Sequence, residues 1–191
     1  MTYPTKLILA ALGSSALALG ACSGDGSSNE AAAPTEKAQK AAGEDTLATG
    51  LGDATKFGQA AKAAGLDSTL AGPGPYTLLV PTDAAFEKMP AGALDTLLKP
   101  EARADLTGVL TYHILPGTIL VADIGKAIDA GNGKTMLPTM GGGTLTATRE
   151  GDAIVIADGA GAKARLTATD EERSNGVIHR IDSVLMPGAS T

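Results

Sequence analysis

The stretch over residues 174–187 constrains this chain most. Val177, Ile178, Ile181, Val184, Leu185 and Met186 make it the densest β-branched and aliphatic run outside the N-terminus. Asn175-Gly176 ahead of it is a turn signal, and Pro187 behind it is a terminator. The pattern predicts a long strand that closes a sheet and is entered through a tight turn. Val177, His179, Ile181 and Ser183 fall on one face, and Ile178, Arg180, Asp182 and Val184 on the other. Both faces mix apolar and polar groups, so the strand needs the rest of the chain as its partner.

That rest amounts to one ordinary domain plus a leader and a linker, given 191 residues. With two Phe, three Tyr and no Trp, the core must be built from Leu, Ile, Val and Ala. A formal net charge of −6 and the absence of any basic cluster argue against a nucleic-acid partner. One cysteine excludes an internal disulfide, and no Cys/His spacing of the zinc type occurs, so no metal or other cofactor is expected.

The N-terminus reads as an export signal. Lys6 is the only charged side chain before Cys22, and it precedes Leu7-Ile8-Leu9-Ala10-Ala11-Leu12. The apolar run is interrupted by Gly13-Ser14-Ser15 and falls short of the ~20 residues a spanning helix needs. Leu19-Gly20-Ala21-Cys22 resembles a bacterial lipobox, which implies a signal over 1–21 and lipidation of Cys22 as the first mature residue. The mature chain then carries 14 basic against 21 acidic side chains, a net −7. Ser23, rather than Asp, follows the cysteine; in lipoproteins of diderm bacteria that resemblance implies the outer membrane. Residues 22–43 form a small, polar tether without apolar residues enough to offset the entropy of folding. Its root-mean-square reach as a coil is roughly 25 Å.

From residue 44 to 188 the pattern is that of a folded domain, followed by a tail at 189–191. A weak helix is expected over 46–52. A better one covers 57–66, with Phe57, Ala60, Ala61 and Ala64 on one face and Gly65 as cap. A short turn of helix follows at 67–70, and Gly72-Pro73-Gly74-Pro75 ends it. Residues 76–81 form a short buried strand. Thr82 and Asp83 supply an N-cap and a first-turn carboxylate for a helix over 84–89. Helices are also expected at 94–98, at 101–112 (the strongest) and at 122–130, with a strand at 118–121. After Gly131 the runs at 135–137, 144–148, 153–157 and 164–169 alternate between Gly-rich turns, the signature of antiparallel hairpins. Helices first and hairpins second make an α+β domain.

Three segments carry a family resemblance. Tyr76-Thr77-Leu78-Leu79-Val80-Pro81-Thr82-Asp83-Ala84-Ala85-Phe86 resembles the N-terminal conserved motif of fasciclin-like domains. Tyr112-His113 before Ile114-Leu115-Pro116-Gly117 resembles a second motif, and Asn175-Gly176-Val177-Ile178-His179 with Ile181-Asp182 a third. They occur in the family's order across the domain. The resemblance implies a compact β-wedge flanked by a bundle of small helices, and structural roles for Thr82, Asp83, Phe86, Asn175, Gly176 and His179. It also implies adhesion to proteins or glycans rather than catalysis. Many members carry Asp-Ile where this chain has Asp170-Glu171, a dipeptide implicated in integrin binding in animal relatives. Glu171 departs from that pattern.

Little else points to chemistry. His113 and His179, with Asp182 or Asp83, could in principle ligate a metal or exchange protons, but no third ligand has suitable spacing. No Gly-x-Ser-x-Gly elbow occurs, and the glycine runs lack the Lys-Ser/Thr of a P-loop. The leading expectation is a membrane-anchored, non-enzymatic interaction module of the cell envelope, with Tyr112, His113, Asp170 and Glu171 as candidate contact residues. The alternative is a periplasmic small-ligand receptor or envelope scaffold, its ligand held between helices and wedge. The scarcity of aromatics counts against that alternative.

Overall fold

The computed structural model describes residues 45–52 and 55–188. The expected signal over 1–21, Cys22, the expected tether over 22–43 and the expected tail at 189–191 lie outside the described residues. Three short helices open the domain: α1 (Leu47–Leu51), α2 (Lys56–Ala64) and α3 (Asp67–Ala71). Strand β1 (Tyr76–Pro81) follows, then α4 (Asp83–Glu87) and α5 (Ala93–Leu97). A 3₁₀ turn (Pro100–Ala102) leads into α6 (Arg103–Tyr112), β2 (Ile114–Pro116) and α7 (Val121–Ala130). The chain then becomes β3 (Lys134–Pro138), β4 (Thr144–Glu150), β5 (Ala153–Ala157), β6 (Lys163–Arg173) and β7 (Gly176–Ile181).

One seven-stranded sheet runs in the order β2-β1-β7-β6-β5-β4-β3. Only β1 and β7 are parallel, paired from Tyr76 opposite Gly176 to Pro81 opposite Ile181. These two strands bury both faces. Leu78, Val80 and Ile178 pack with α1, α2, α3 and α6; Leu79 and Ile181 pack with α7 and the β3–β6 hairpins. Burial on two sides suits the apolar run of β1, whereas β7 carries His179 and Arg180 among its aliphatic residues. The sheet curls until its ends approach: the Met140 amide, just beyond β3, donates to the Ile114 carbonyl of β2 at 2.8 Å. The result is an α+β wedge with α1–α6 on one side of the β1–β7 pair and α7 on the other.

Local chemistry accounts for the helices. In α2 the buried set is Phe57, Ala60, Ala61 and Ala64, the i, i+3, i+4, i+7 stripe. Thr55 caps it through a 3.0 Å bond from the Gly58 amide, and Gly65 ends it in the left-handed region at φ 78°. Asp83 reaches across from α4 and accepts from the Lys56 amide at 3.0 Å, placing a carboxylate at the positive end of α2. Thr82 caps α4 through the Ala85 amide, and Phe86 is buried behind it.

The strand expected at 118–121 does not form. The Thr77 hydroxyl donates to the Gly117 carbonyl and accepts from the Ile119 amide, drawing this segment away from the ladder. Antiparallel pairing with β1 uses Ile114–Pro116 instead. Strand β6 is longer than the expected 164–169, and its register slips between Leu166 and Ala168 and again between Ala168 and Glu171.

The parallel pair meets at a point with no room for a side chain. A Cβ on Gly176 would collide with the Tyr76 carbonyl oxygen and stand 3.0 Å from Leu47 Cδ1. A backbone oxygen in a ladder cannot swing aside, so Gly176→Ala is expected to cost about 2–3 kcal/mol. Urea unfolding reads this directly; an unchanged midpoint would mean that β1 and β7 separate freely enough to admit a methyl group.

Candidate functional site

Tyr112 and His113 are 2% and 1% exposed, so the expectation that they contact a partner is corrected: both face the core. Helix α6 buries Leu106, Val109, Leu110 and Tyr112, and His113 terminates it. Its ring Nδ1 lies 2.8 Å from the Val109 carbonyl, one of the acceptors a helix end leaves open. Its Nε2 accepts from the Leu185 amide at 3.2 Å. These partners set the tautomer, with the proton on Nδ1. Phe57 packs edge-on at 6.0 Å between ring centroids. Burial pushes the imidazole down to about 4, outweighing the bond to Val109 and the nearby Asp158 charge, and the ring is neutral at physiological pH.

The Tyr112 hydroxyl donates to the Thr144 carbonyl at 3.4 Å and accepts from the Gly159 amide at 3.3 Å. It thereby fastens two glycine-rich turns of the wedge. Asp158 completes this knot, accepting from the amides of Ala160, Ala162 and Met186.

His179 is fully buried on β7. Its Nε2 donates to the Ile119 carbonyl at 2.8 Å, and its Nδ1 accepts from the Asp170 amide at 3.1 Å. The proton therefore sits on the opposite nitrogen from that of His113. Asp170 occupies the slipped part of β6 at φ 56°, and its Oδ1 accepts from the Val121 amide at the start of α7. Glu171 receives both Nε and Nη2 of Arg180, at 3.0 and 3.2 Å, and lies 3.7 Å from Arg173. The Arg180 guanidinium holds its carboxyl below the usual carboxylate range. Asp170 and Glu171 are half-buried, and their hydrogen bonds tie parts of the fold together. Glu172 beside them is exposed.

Asn175 is the densest junction. Its Oδ1 accepts from the Leu47 amide at 2.8 Å, while Nδ2 donates to the Leu70 and Gly72 carbonyls at 2.8 and 2.7 Å. One amide side chain, 2% exposed, joins the β6–β7 turn to α1 and to the end of α3. The carboxylates considered with the histidines have other partners. Asp83 is held on α2, and Asp182 accepts from the Arg165 amide. Among the described residues no group of three His, Cys, Asp or Glu could hold a metal ion.

The structure also forms an open cleft of about 440 Å³ between α7 and strands β4–β6. Gly125, Lys126 and Asp129 line it from the helix, Arg149 and Ile154 from the sheet, and Thr169 from the slipped part of β6. Arg149 spans the gap to Asp129 at 3.5 Å. Sequence reasoning missed these residues; the available signal was Gly125, a glycine inside an otherwise regular helical run.

The model of the fasciclin domain family matches residues 52–187. This chain belongs to the fasciclin domain family. A Synechocystis protein, sll1483, is 35% identical over 147 residues, covering 77% of this chain and 71% of that one. Transforming growth factor-beta-induced protein ig-h3 of Sus scrofa is 39% identical over 132 residues, which is 69% of this chain but 17% of that much longer protein. Immunogenic protein MPB70 of Mycobacterium bovis is 32% identical over 61% of this chain and 52% of its own length. Among solved structures, the fasciclin domain pair of the insect cell adhesion molecule fasciclin I superposes with a TM-score of 0.52. At 22% identity over 71% of this chain and 46% of that one, it shows the fold. In this fasciclin domain the Tyr-His and Asn-Gly-Val-Ile-His motifs are thus internal fastenings, each histidine bonded to backbone through both ring nitrogens.

Proposed function

We propose that this fasciclin domain is a non-enzymatic interaction module of the cell envelope, held by a lipid on Cys22 and extended by the tether over 22–43. It binds a protein or polysaccharide partner through its outer surface. The observation that carries this reading is the commitment of both imidazoles to backbone partners, which leaves neither free to act as acid, base or ligand. Family membership and the insect relative described as a cell adhesion molecule support adhesion as the kind of interaction. A lipobox-like Leu19-Gly20-Ala21-Cys22 supports the envelope, and Ser23 its outer membrane.

The test is retention of beads carrying the chain on the producing organism's own cells and on its extracted envelope polysaccharide. Beads with an unrelated protein of equal negative charge are the control. Retention above control that soluble chain competes away is the expected result. Retention no better than control removes adhesion as the function and leaves the small-ligand reading, which the cleft under α7 favours.

A further inference from the structure

We propose that the cleft between α7 and β4–β6 is a binding site for an aliphatic carboxylate, a monoanionic head joined to a short apolar body. This goes beyond the adhesive reading and stands independently of it.

The cleft's volume of about 440 Å³ falls in the range of small-ligand sites. Its walls are aliphatic and small: Val121, Ala122, Ala153, Ile154 and Leu166. No aromatic lines it, so it offers no platform on which a sugar ring or nucleobase could stack. The cations among the lining are Arg149 from β4 and Lys126 from α7, the latter 3.5 Å from Asp123.

Arg149 lies against α7. Gly125 is buried within α7, and a Cβ there would stand 3.0 Å from Arg149 Nη2. Glycine disfavours a helix interior, and here it lets the guanidinium lie close against the helix backbone. A planar fork lying there suits two-pronged recognition of a carboxylate. Its present partner is replaceable: the Asp129 pair is long at 3.5 Å, with side chains 42% and 70% exposed. Such exposed pairs add little and exchange readily for a better partner. Asp129 and Asp152 flank the site and repel polyanions, which restricts the head to a single negative charge.

The carboxylate could belong to a peptide C-terminus or to a free short-chain acid. The experiment titrates the ¹⁵N-labelled full chain with acetyl-Ala-Val, its C-terminal amide, and pentanoate. Saturable amide shifts at Gly125, Ala153 and Thr169 are expected with acetyl-Ala-Val or pentanoate, and at least tenfold weaker binding with the amide. Binding of the peptide alone identifies a C-terminus as the source; comparable binding of pentanoate identifies a free acid. Arg149→Gln is expected to weaken binding about tenfold or more. Asp129→Asn, which removes the internal competitor, should strengthen it several-fold, and Ala122→Leu, at an exposed helix position, should block the cleft. Opposite signs at Arg149 and Asp129 separate recognition from a structural role. No saturable shifts at these amides with either acid, or equal affinity for Arg149→Gln, overturns the proposal.

Discussion

Replacing Asn175 with alanine is expected to lower the unfolding free energy by about 3 kcal/mol or more, the largest effect of any single side-chain truncation considered. The change strands three backbone groups at once: the Leu47 amide and the Leu70 and Gly72 carbonyls. Each buried group left without a partner costs about 1–3 kcal/mol, and the cavity prevents neighbours from closing in fully. Asn175→Asp separates the contributions. It keeps the acceptor for Leu47 but turns the donor into an oxygen facing two carbonyls, so it should be at least as damaging at neutral pH. Urea denaturation monitored by circular dichroism reads both. Parent-like stability in Asn175→Ala would show that the β6–β7 turn is fastened by something other than this amide.

The second large effect is a dependence on pH. The unfolded chain carries the His113 imidazole at its ordinary value of 6.5, and the folded chain holds it at about 4. Between those values the unfolded state binds more protons than the folded state, so stability rises with pH across the window and is lost as pH falls from 6.5 toward 4. At about 1.4 kcal/mol per pH unit, the loss accumulates to about 3 kcal/mol. Glu171, lowered chiefly by its bonds from Arg180, loses its contribution in a more acidic window, as pH falls through 4.5 and below. The two steps are therefore separable. His113→Gln keeps a donor and an acceptor but does not titrate. Its stability should be lower at pH 7 and nearly flat between pH 6.5 and 4.5, whereas the parent declines. An equal decline in both proteins would assign the acid sensitivity to other groups.

Much of this fold is visible in local sequence pattern because several of its elements answer to local rules. The α2 stripe, its Gly65 cap, the Thr82 cap and the β4 and β5 runs are each set by neighbours within a few residues. What escaped reading is set at long range. The choice of Ile114–Pro116 rather than residues 118–121 as the strand depends on Thr77, about 40 residues away, binding Gly117 and Ile119 through one hydroxyl. The slip in β6 follows from Asp170 serving His179 and α7 together. No periodicity within the strand encodes that.

The candidate site shows the same division. The motifs at Tyr112-His113 and Asn175–His179 were legible as motifs, yet their residue types alone could not say whether they face a partner or the core. A tyrosine and a histidine after a helix suit either role. Burial decided it, and burial depends on Thr144, Gly159 and Leu185 arriving from the far end of the chain. The cleft beneath α7 was illegible for a related reason. Arg149 and Asp129 approach each other only once the β3–β4 hairpin has folded back beside the helix.

The most direct test of the account is the tautomeric state of the two imidazoles, read from ¹⁵N chemical shifts of the histidine-labelled chain at pH 7. Opposite proton placement is expected in the two rings: His113 carries its proton on Nδ1 toward Val109, and His179 has its Nε2 proton directed to Ile119. That pattern means both histidines are fastenings of the fold. A pair of averaged signals, with the two tautomers exchanging and His113 titrating near 6.5, would place that ring in solvent and reopen acid–base chemistry as the function.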